Sequence, residues 1–343
     1  MKRQMAFQVA ATYVGAVMGA GFASGQEIQQ FFTRFGPWGL GGIIISAGLF
    51  CLLGWAILDL LRRWQISSYP ELFQHLLGLN WGRRADVLVS ILLFVGMIAM
   101  LSASGALFQE YFGFSRWLGI SLTLIVIGLA LWFRGEGVLW INTVLIPLKF
   151  TFCLGIALVA IFLGGAGDGE GLPVLTNPVL NHWVLSGILY VSFNLTLAMV
   201  VFASLGQQVQ TAGARLGAVL GGAALGAFAL VIGASLLRFQ EVIGLEIPMV
   251  GVAGKLGDWP AFLYVVVLWL AMVTAAIGDG FSLISRVVSN GRFAYGRTTI
   301  GLLALVFPLA GVKFSQIVQI GYPVFGYLGF FFLPAILYAW LRR

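Results

Sequence analysis

Charged side chains are scarce in this 343-residue chain, where Lys, Arg, Asp and Glu together make up 9% of the residues. Soluble domains carry about 25%, so the shortage excludes an ordinary soluble fold. Cysteine is nearly absent. Cys51 and Cys153 both fall inside apolar runs, which argues for packing residues and against a disulfide framework or a thiolate metal site. His75 and His182 are the two histidines, each isolated near the end of an apolar run, so no metal centre is expected. No Ser/His pair, HExxH or paired aspartates occurs at membrane depth, which speaks against an intramembrane enzyme. No filter-like repeat marks an ion channel. No small-residue cleavage site follows Lys2-Arg3, and the first apolar run is expected to be retained rather than removed as a signal peptide.

What the chain has instead is apolar length: 60% hydrophobic residues and a mean hydropathy of +0.99. This is the composition of a polytopic, all-α membrane protein. A membrane-spanning helix needs about 20 apolar residues. Ten segments qualify, near 5–35, 37–61, 86–112, 116–133, 137–164, 182–205, 211–237, 259–286, 297–312 and 317–341. Ten crossings place both termini on one side. That side carries 13 of the basic residues (Lys2, Arg3, Arg62, Arg63, Arg83, Arg84, Arg134, Arg215, Arg286, Arg292, Arg297, Arg342 and Arg343) against five opposite. The positive-inside bias makes both termini cytoplasmic, in a bacterial inner membrane. It also explains the +7 net charge without any nucleic-acid partner. Trp38, Trp64, Trp81, Trp117, Trp183, Trp259 and Trp340 sit near span ends, as interfacial anchors do. Between spans, Ser68-Tyr69-Pro70-Glu71 predicts a capped cytoplasmic helix over 65–80. Residues 239–258 predict an external helical loop, a candidate lid.

The first span holds the strongest functional signal. Gly15, Gly19, Gly21 and Gly25 lie in its middle together with Ser24, Gln26 and Glu27. Glycines loosen a helix, and backbone groups freed at membrane depth must be met by protein, water or ligand. An unwound Gly19–Gly25 would leave carbonyls on one side and N–H groups at Ser24–Gln26 on the other, a setting that favours a carboxylate. The competing reading is packing, since Gly15/Gly19 and Gly21/Gly25 are both GxxxG pairs. That motif alone does not require Ser24, Gln26 and Glu27, so the site reading is preferred. Gly19, Ala20, Gly21, Ala23, Ser24, Gly25 and Gln26 are therefore candidate substrate contacts. Glu27 has several open roles: pairing a substrate amine, gating, carrying a proton, or bonding within the bundle.

Five spans precede a polar external loop at 165–181 and five follow it. Residues 1–164 and 182–343 thus form two five-span halves of opposite orientation. In an inverted repeat the second interruption falls in span six, where Tyr190, Ser192, Phe193, Asn194 and Thr196 supply polar groups at mid-span. Paired interruptions in inverted halves point to a transporter site. Helices 1 and 6 are accordingly both expected to be broken.

With these residues in view, Gly19-Ala20-Gly21-Phe22-Ala23-Ser24-Gly25-Gln26-Glu27-Ile28 resembles the opening signature of the YkvI-type membrane proteins. These are candidate amino-acid permeases of the amino acid–polyamine–organocation superfamily. The resemblance implies the leucine-transporter fold, with a 5+5 inverted repeat, a site between spans one and six, and alternating access. Aligned through Phe202-Ala203-Ser204, Tyr190 stands where that fold has an aromatic lid. The resemblance also implies an ion site in which Ala271 and Thr274 join carbonyls at Gly15 and Met18. Ala275 replaces a serine ligand of the sodium-coupled relatives, and a hard cation wants five or six oxygens, which weakens the case for sodium.

Lys149 sits twelve residues into span five, about 18 Å deep at 1.5 Å per residue, the same depth as Thr274. An intramembrane lysine is costly and functional by default. Lys149 resembles a span-five lysine whose ammonium replaces sodium in certain sodium-independent members of the superfamily. Proton coupling is the preferred expectation, with sodium coupling or exchange as alternatives. Asp279 is a candidate partner for an inner arginine or a step on a proton path. The expected protein is a secondary transporter of a small zwitterion, foremost an amino acid, working without a cofactor. It is expected as a monomer or weak homodimer in the lipid bilayer. The alternatives are transport of an amine or other small organic solute, and a non-transporting sensor that keeps the pocket.

Overall fold

The structure, a computed structural model, describes residues 2–66, 68–133, 138–163, 177, 179–205, 212–289 and 294–342. The expected external loop at 165–181 therefore lies almost wholly outside the described residues, as do Arg134, Gly137 and Arg292. All regular structure among the described residues is helical. In hydrocarbon a single segment satisfies its own backbone only as a helix, and the long apolar runs obey that rule.

The first segment is in three pieces: α1 (Lys2–Val17), α2 (Ala20–Ala23) and α3 (Gln26–Phe31). A tight 3-10 turn at Thr33–Phe35 follows. Next come α4 (Trp38–Trp64), the short α5 (Tyr69–Leu77), α6 (Leu79–Phe112), α7 (Arg116–Trp132) and α8 (Val138–Leu163). The second half contains α9 (Trp183–Ser204), α10 (Ala212–Arg238), a 3-10 turn (Gln240–Gly244), α11 (Pro248–Gly254), α12 (Asp258–Ser289) and α13 (Tyr295–Leu309). The last apolar run is segmented into α14 (Phe314–Gln316), a π turn (Ile317–Gly321), α15 (Tyr322–Gly329) and α16 (Phe332–Leu341). Among the described residues, six helical segments are long and apolar enough to cross a membrane and three shorter apolar helices accompany them, and the protein is a membrane protein.

Two expectations need correction. Span six is not broken: α9 is continuous from Trp183 to Ser204. Its polar residues close hydrogen bonds with their own helix or its neighbour. Asn194 Nδ2 donates to Tyr190 O at 3.0 Å and Thr196 Oγ1 to Ser192 O at 2.9 Å, both one turn back. Ser192 Oγ donates across to Gly326 O on α15 at 2.7 Å. Short polar side chains that bond the preceding turn are tolerated inside a membrane helix. The second correction is smaller. α5 forms where predicted, with Pro70 in its first turn, but Ser68 makes no side-chain cap hydrogen bond. The burial of Leu72 and Phe73, with Phe73 stacked on Phe332 at 5.1 Å, docks it instead.

α10 packs closely on α1 and α4. A Cβ at Gly217 would meet Ala6 O at 2.5 Å, and one at Gly222 would meet Cys51 N at 2.6 Å. Small residues that let backbones approach are how helices gain contact in a solvent as apolar as themselves. Polar groups tie the two ends of the bundle. At one end Arg116 binds Glu246 at 2.6 Å and Ser102 Oγ at 2.8 Å, while the Glu110 carboxylate accepts from the amides of Glu246 (2.7 Å) and Ile247 (3.1 Å). At the other end Asp59 takes Arg63, Arg215 and Trp340, and Arg286 contacts Asp86, Ser90 and Tyr69.

Candidate functional site

The first segment breaks where its glycines are. α1 stops at Val17, Gly19 is extended (φ −66°, ψ −175°), one turn reforms at Ala20–Ala23, and Gly25 turns the chain at φ +82°. A side chain at Gly25 would be strained in this left-handed conformation, and its Cβ would lie 2.7 Å from Met249 Cγ. Glycine is needed there on both counts.

Carbonyls released by the break are met by four elements. Lys149 Nζ of α8 donates to Met18 O at 2.7 Å. Ser24 Oγ donates to Gly21 O at 2.7 Å, and Tyr264 OH of α12 to Ala23 O at 2.5 Å. The Met249 amide of α11 donates to Ser24 O at 3.0 Å. The interruption is thus held by three distant helices, and the 239–258 segment is docked directly on it. Gln29 Nε2 adds a bond to Ile243 O.

The amides expected to face a carboxylate are all occupied. Ser24 N–H bonds Ala20 O at 2.8 Å, Gly25 N–H bonds Phe22 O at 3.0 Å, and Gln26 N–H bonds the Ser24 hydroxyl at 3.2 Å. The break is shorter than the sequence suggests because α2 reforms inside it and Ser24 closes its end.

A cavity of about 190 Å³ lies against the break. One wall is the first segment: Gly15, Gly19, Ala20, Gly21 and Glu27. Phe193 and Asn194 of α9 form a second wall. Ala275 and Asp279 of α12 form a third, facing Leu92, Gly96 and Met100 of α6, with Tyr322 of α15 beside them. At about 30 Å³ for each liquid water, the space suits a small solute. Its charged lining is two carboxylates, Glu27 and Asp279, with no basic side chain among the described residues. Each carboxylate lies in the room left by a glycine: a Cβ on Gly21 would meet Glu27 Oε1 at 2.2 Å, and one on Gly96 would meet Asp279 Oδ2 at 2.7 Å.

Several candidate residues stand elsewhere. Tyr190 is not on the cavity but in an aromatic cluster with Phe31 (5.1 Å), Phe32 (5.0 Å) and Phe50 (6.1 Å). Its hydroxyl donates to Glu27 Oε2 at 3.3 Å. Ser192 and Thr196 face α15, where a Cβ on Gly329 would meet Thr196 Oγ1 at 2.8 Å. Ala23, Ser24, Gly25 and Gln26 shape the break without lining the cavity. The ion-site residues are not gathered around an open position. Met18 O already has the Lys149 ammonium, and Ala271 O accepts from Thr274 Oγ1 at 3.2 Å. Lys149 itself is buried and does not line the cavity; it holds the carbonyl just before Gly19.

The α6 wall and Tyr322 are additions that the sequence did not point to. Tyr322 stacks on Phe193 at 4.5 Å. Gly321-Tyr322-Pro323 interrupts the last apolar run, and that was the available signal. The apolar α6 wall offers none beyond Gly96.

Two proteins of Bacillus subtilis are similar to nearly the whole chain. Identity to the uncharacterized membrane protein YkvI is 30% over 339 residues, covering 97% of this chain and 95% of that one. Identity to the uncharacterized protein YyaD is 27% over 330 residues, 94% of each. No family model matches the chain. Among solved structures, the nucleobase-cation-symport-1 family transporter Mhp1, closed with bromovinylhydantoin bound, superposes with a TM-score of 0.58 at 15% identity. The match covers 91% of this chain and 74% of that one. The manganese transporter of Eremococcus coleocola, in complex with an aromatic bis-isothiourea substituted compound, gives 0.54 at 15% identity over 97% and 76%. At such identities the likeness is one of fold, and the fold is that of these leucine-transporter-type proteins.

Proposed function

Because the chain belongs to the family of the membrane protein YkvI, we propose that it is a secondary transporter of a small solute bearing an amino group, foremost an amino acid. In this reading ten spans form two inverted five-span halves, 1–164 and 182–343. Both termini are cytoplasmic in a bacterial inner membrane, and the solute moves by alternating access. One observation carries the proposal: the first segment breaks at Met18–Gly19, and the cavity at that break is lined by Glu27 and Asp279. An ammonium is the charge these two carboxylates compensate. A solute carboxylate would be left to the Asn194 amide and the Tyr322 hydroxyl.

The Tyr190–Phe31–Phe32–Phe50 cluster supports a pathway shut on the side of α3 and the 239–258 segment. Lys149 acts as the coupling group by latching the break through Met18 O. Loss of its proton would weaken the latch and return a carbonyl to the pathway, so the proton is the preferred coupling ion. The occupied carbonyls of Met18 and Ala271 speak against sodium. A divalent cation, as transported by the manganese protein, is a second reading that the two carboxylates favour. Among the described residues, however, no group of three or more His, Cys, Asp or Glu is poised for a metal.

Purified protein screened by thermal shift against amino acids, amines, nucleobases and Mn²⁺ identifies the solute, and counterflow in proteoliposomes then tests transport. Binding without counterflow sinks the transporter reading, and stabilisation by Mn²⁺ alone selects the metal. Lys149→Ala is expected to lose at least tenfold in uptake driven by a pH gradient. Undiminished uptake removes Lys149 from the mechanism.

A further inference from the structure

On the membrane-facing side of the bundle, away from the cavity, α6 and the last run enclose a second depression of about 850 Å³. Its walls are apolar: Leu88 and Ile91 of α6 face Leu328 and Phe331, and Leu76 and Leu77 of α5 close one end. At Phe330–Phe331, between α15 and α16, the chain keeps helical dihedrals and tightens into i→i+3 hydrogen bonds, with Phe331 on the groove. Along α6 the groove runs from Trp81 to Ile91. At 1.5 Å per residue that is about 15 Å, half of a hydrocarbon core of about 30 Å, so the groove is one leaflet deep.

Charge is confined to its α5 end. Arg84 lines the groove and stacks over Trp81 at 4.5 Å, and Arg342 stacks over Tyr338, another lining residue, at 4.5 Å. Arg83 adjoins Arg84 in sequence. A slot that is basic at the interface and apolar for one leaflet has the complement of an amphiphile with an anionic head. An apolar helix could fill the apolar part of the slot, but only an occupant with an anionic end also meets the arginines at its interfacial end.

We propose that this groove is a binding site for an anionic phospholipid. Its phosphate lies between Arg84 and Arg342, and one acyl chain lies against Leu88, Ile91 and Leu328. Arginines on aromatic rings keep their guanidinium edges turned outward, where a phosphate oxygen accepts two hydrogen bonds. The bound lipid bridges α6 and α15. The other faces of those helices line the cavity through Gly96, Met100 and Tyr322, so occupancy would brace the cavity walls.

The test uses the purified full-length protein in neutral detergent, titrated with phosphatidylglycerol or phosphatidylcholine of matched chains, with retained lipid read by native mass spectrometry. Phosphatidylglycerol is expected to be retained preferentially. Arg84→Ala and Arg342→Ala should each reduce that preference about fivefold, as expected of a basic residue near a charged bilayer surface. Ile91→Trp, which fills the slot, should reduce retention of both lipids while leaving the headgroup preference unchanged. Equal retention of the two lipids by the unaltered protein overturns the proposal. So does a preference that survives the double arginine variant. A concentration-dependent dimer that Ile91→Trp abolishes, with no lipid retained, overturns it in favour of a second copy of the chain.

Discussion

The first apolar segment stops being a helix at Met18 and Gly19, whereas α9 runs unbroken from Trp183 to Ser204 with Ser192, Asn194 and Thr196 at its middle. Both segments carry small or polar residues at membrane depth. In α9 the hydroxyls and the amide bond the preceding turn or the next helix, so no backbone group is released. In the first segment the glycines bring no side chain to close the ladder. The released carbonyls are met from outside, by Lys149, Tyr264 and Met249. Polarity at mid-span is therefore a poor signal for a break. Glycine with a distant donor waiting for it is a better one.

Substitutions can break or sharpen this contrast. Lys149→Ala, with its expected loss of at least tenfold in gradient-driven uptake, has the largest effect on function. On stability the largest effect falls at Gly25→Ala. Left-handed strain of about 1–2 kcal/mol adds to overpacking against Met249 of about 1–3 kcal/mol, so the melting temperature in detergent should fall clearly. Gly19→Ala is the matched control. Gly19 has an ordinary φ, and a Cβ placed on it would have nothing within 4 Å, so its melting temperature should barely move. Equal losses at the two sites would mean that the break does not depend on the turn at Gly25.

Gly21→Ala pushes the Glu27 carboxylate off its seat. It should weaken solute affinity about tenfold, about 1.4 kcal/mol, with little change in melting temperature. A binding isotherm read beside a thermal melt separates the two. Ser192→Ala removes the bond to Gly326 O and should cost about 0.6 kcal/mol, the average for such bonds within membranes. Thr196→Val, which loses only a bond within its own helix, should cost less again and leave uptake unchanged. Loss of uptake in Thr196→Val at unchanged stability would show that α9 opens during transport, and the contrast with the first segment would collapse.

Much of the architecture was legible in the sequence. The apolar runs gave most long helices to within a few residues, and the Tyr69–Leu77 helix and the helical 239–258 segment stand where expected. Part of the cavity's lining was legible too. Gly15, Gly19, Ala20, Gly21, Glu27, Phe193, Asn194 and Asp279 all reach the cavity. Tyr190, Ser192 and Thr196 do not, because a side chain's direction around a helix depends on which neighbour packs there. Tyr190 turns to Phe31, Phe32 and Phe50, and Ser192 turns to α15.

Composition and periodicity by themselves determined that this chain is a helical membrane protein and that its first span is weak at Gly19–Gly25. Transfer into hydrocarbon leaves each segment few alternatives to a helix, and glycine is the residue that loosens one. Only the tertiary structure decided which weak point opened. A released carbonyl at membrane depth persists only where a donor from another helix reaches it. Lys149, Tyr264 and Met249 meet the first segment across 131, 241 and 225 residues of chain, a juxtaposition that packing creates and local sequence does not encode.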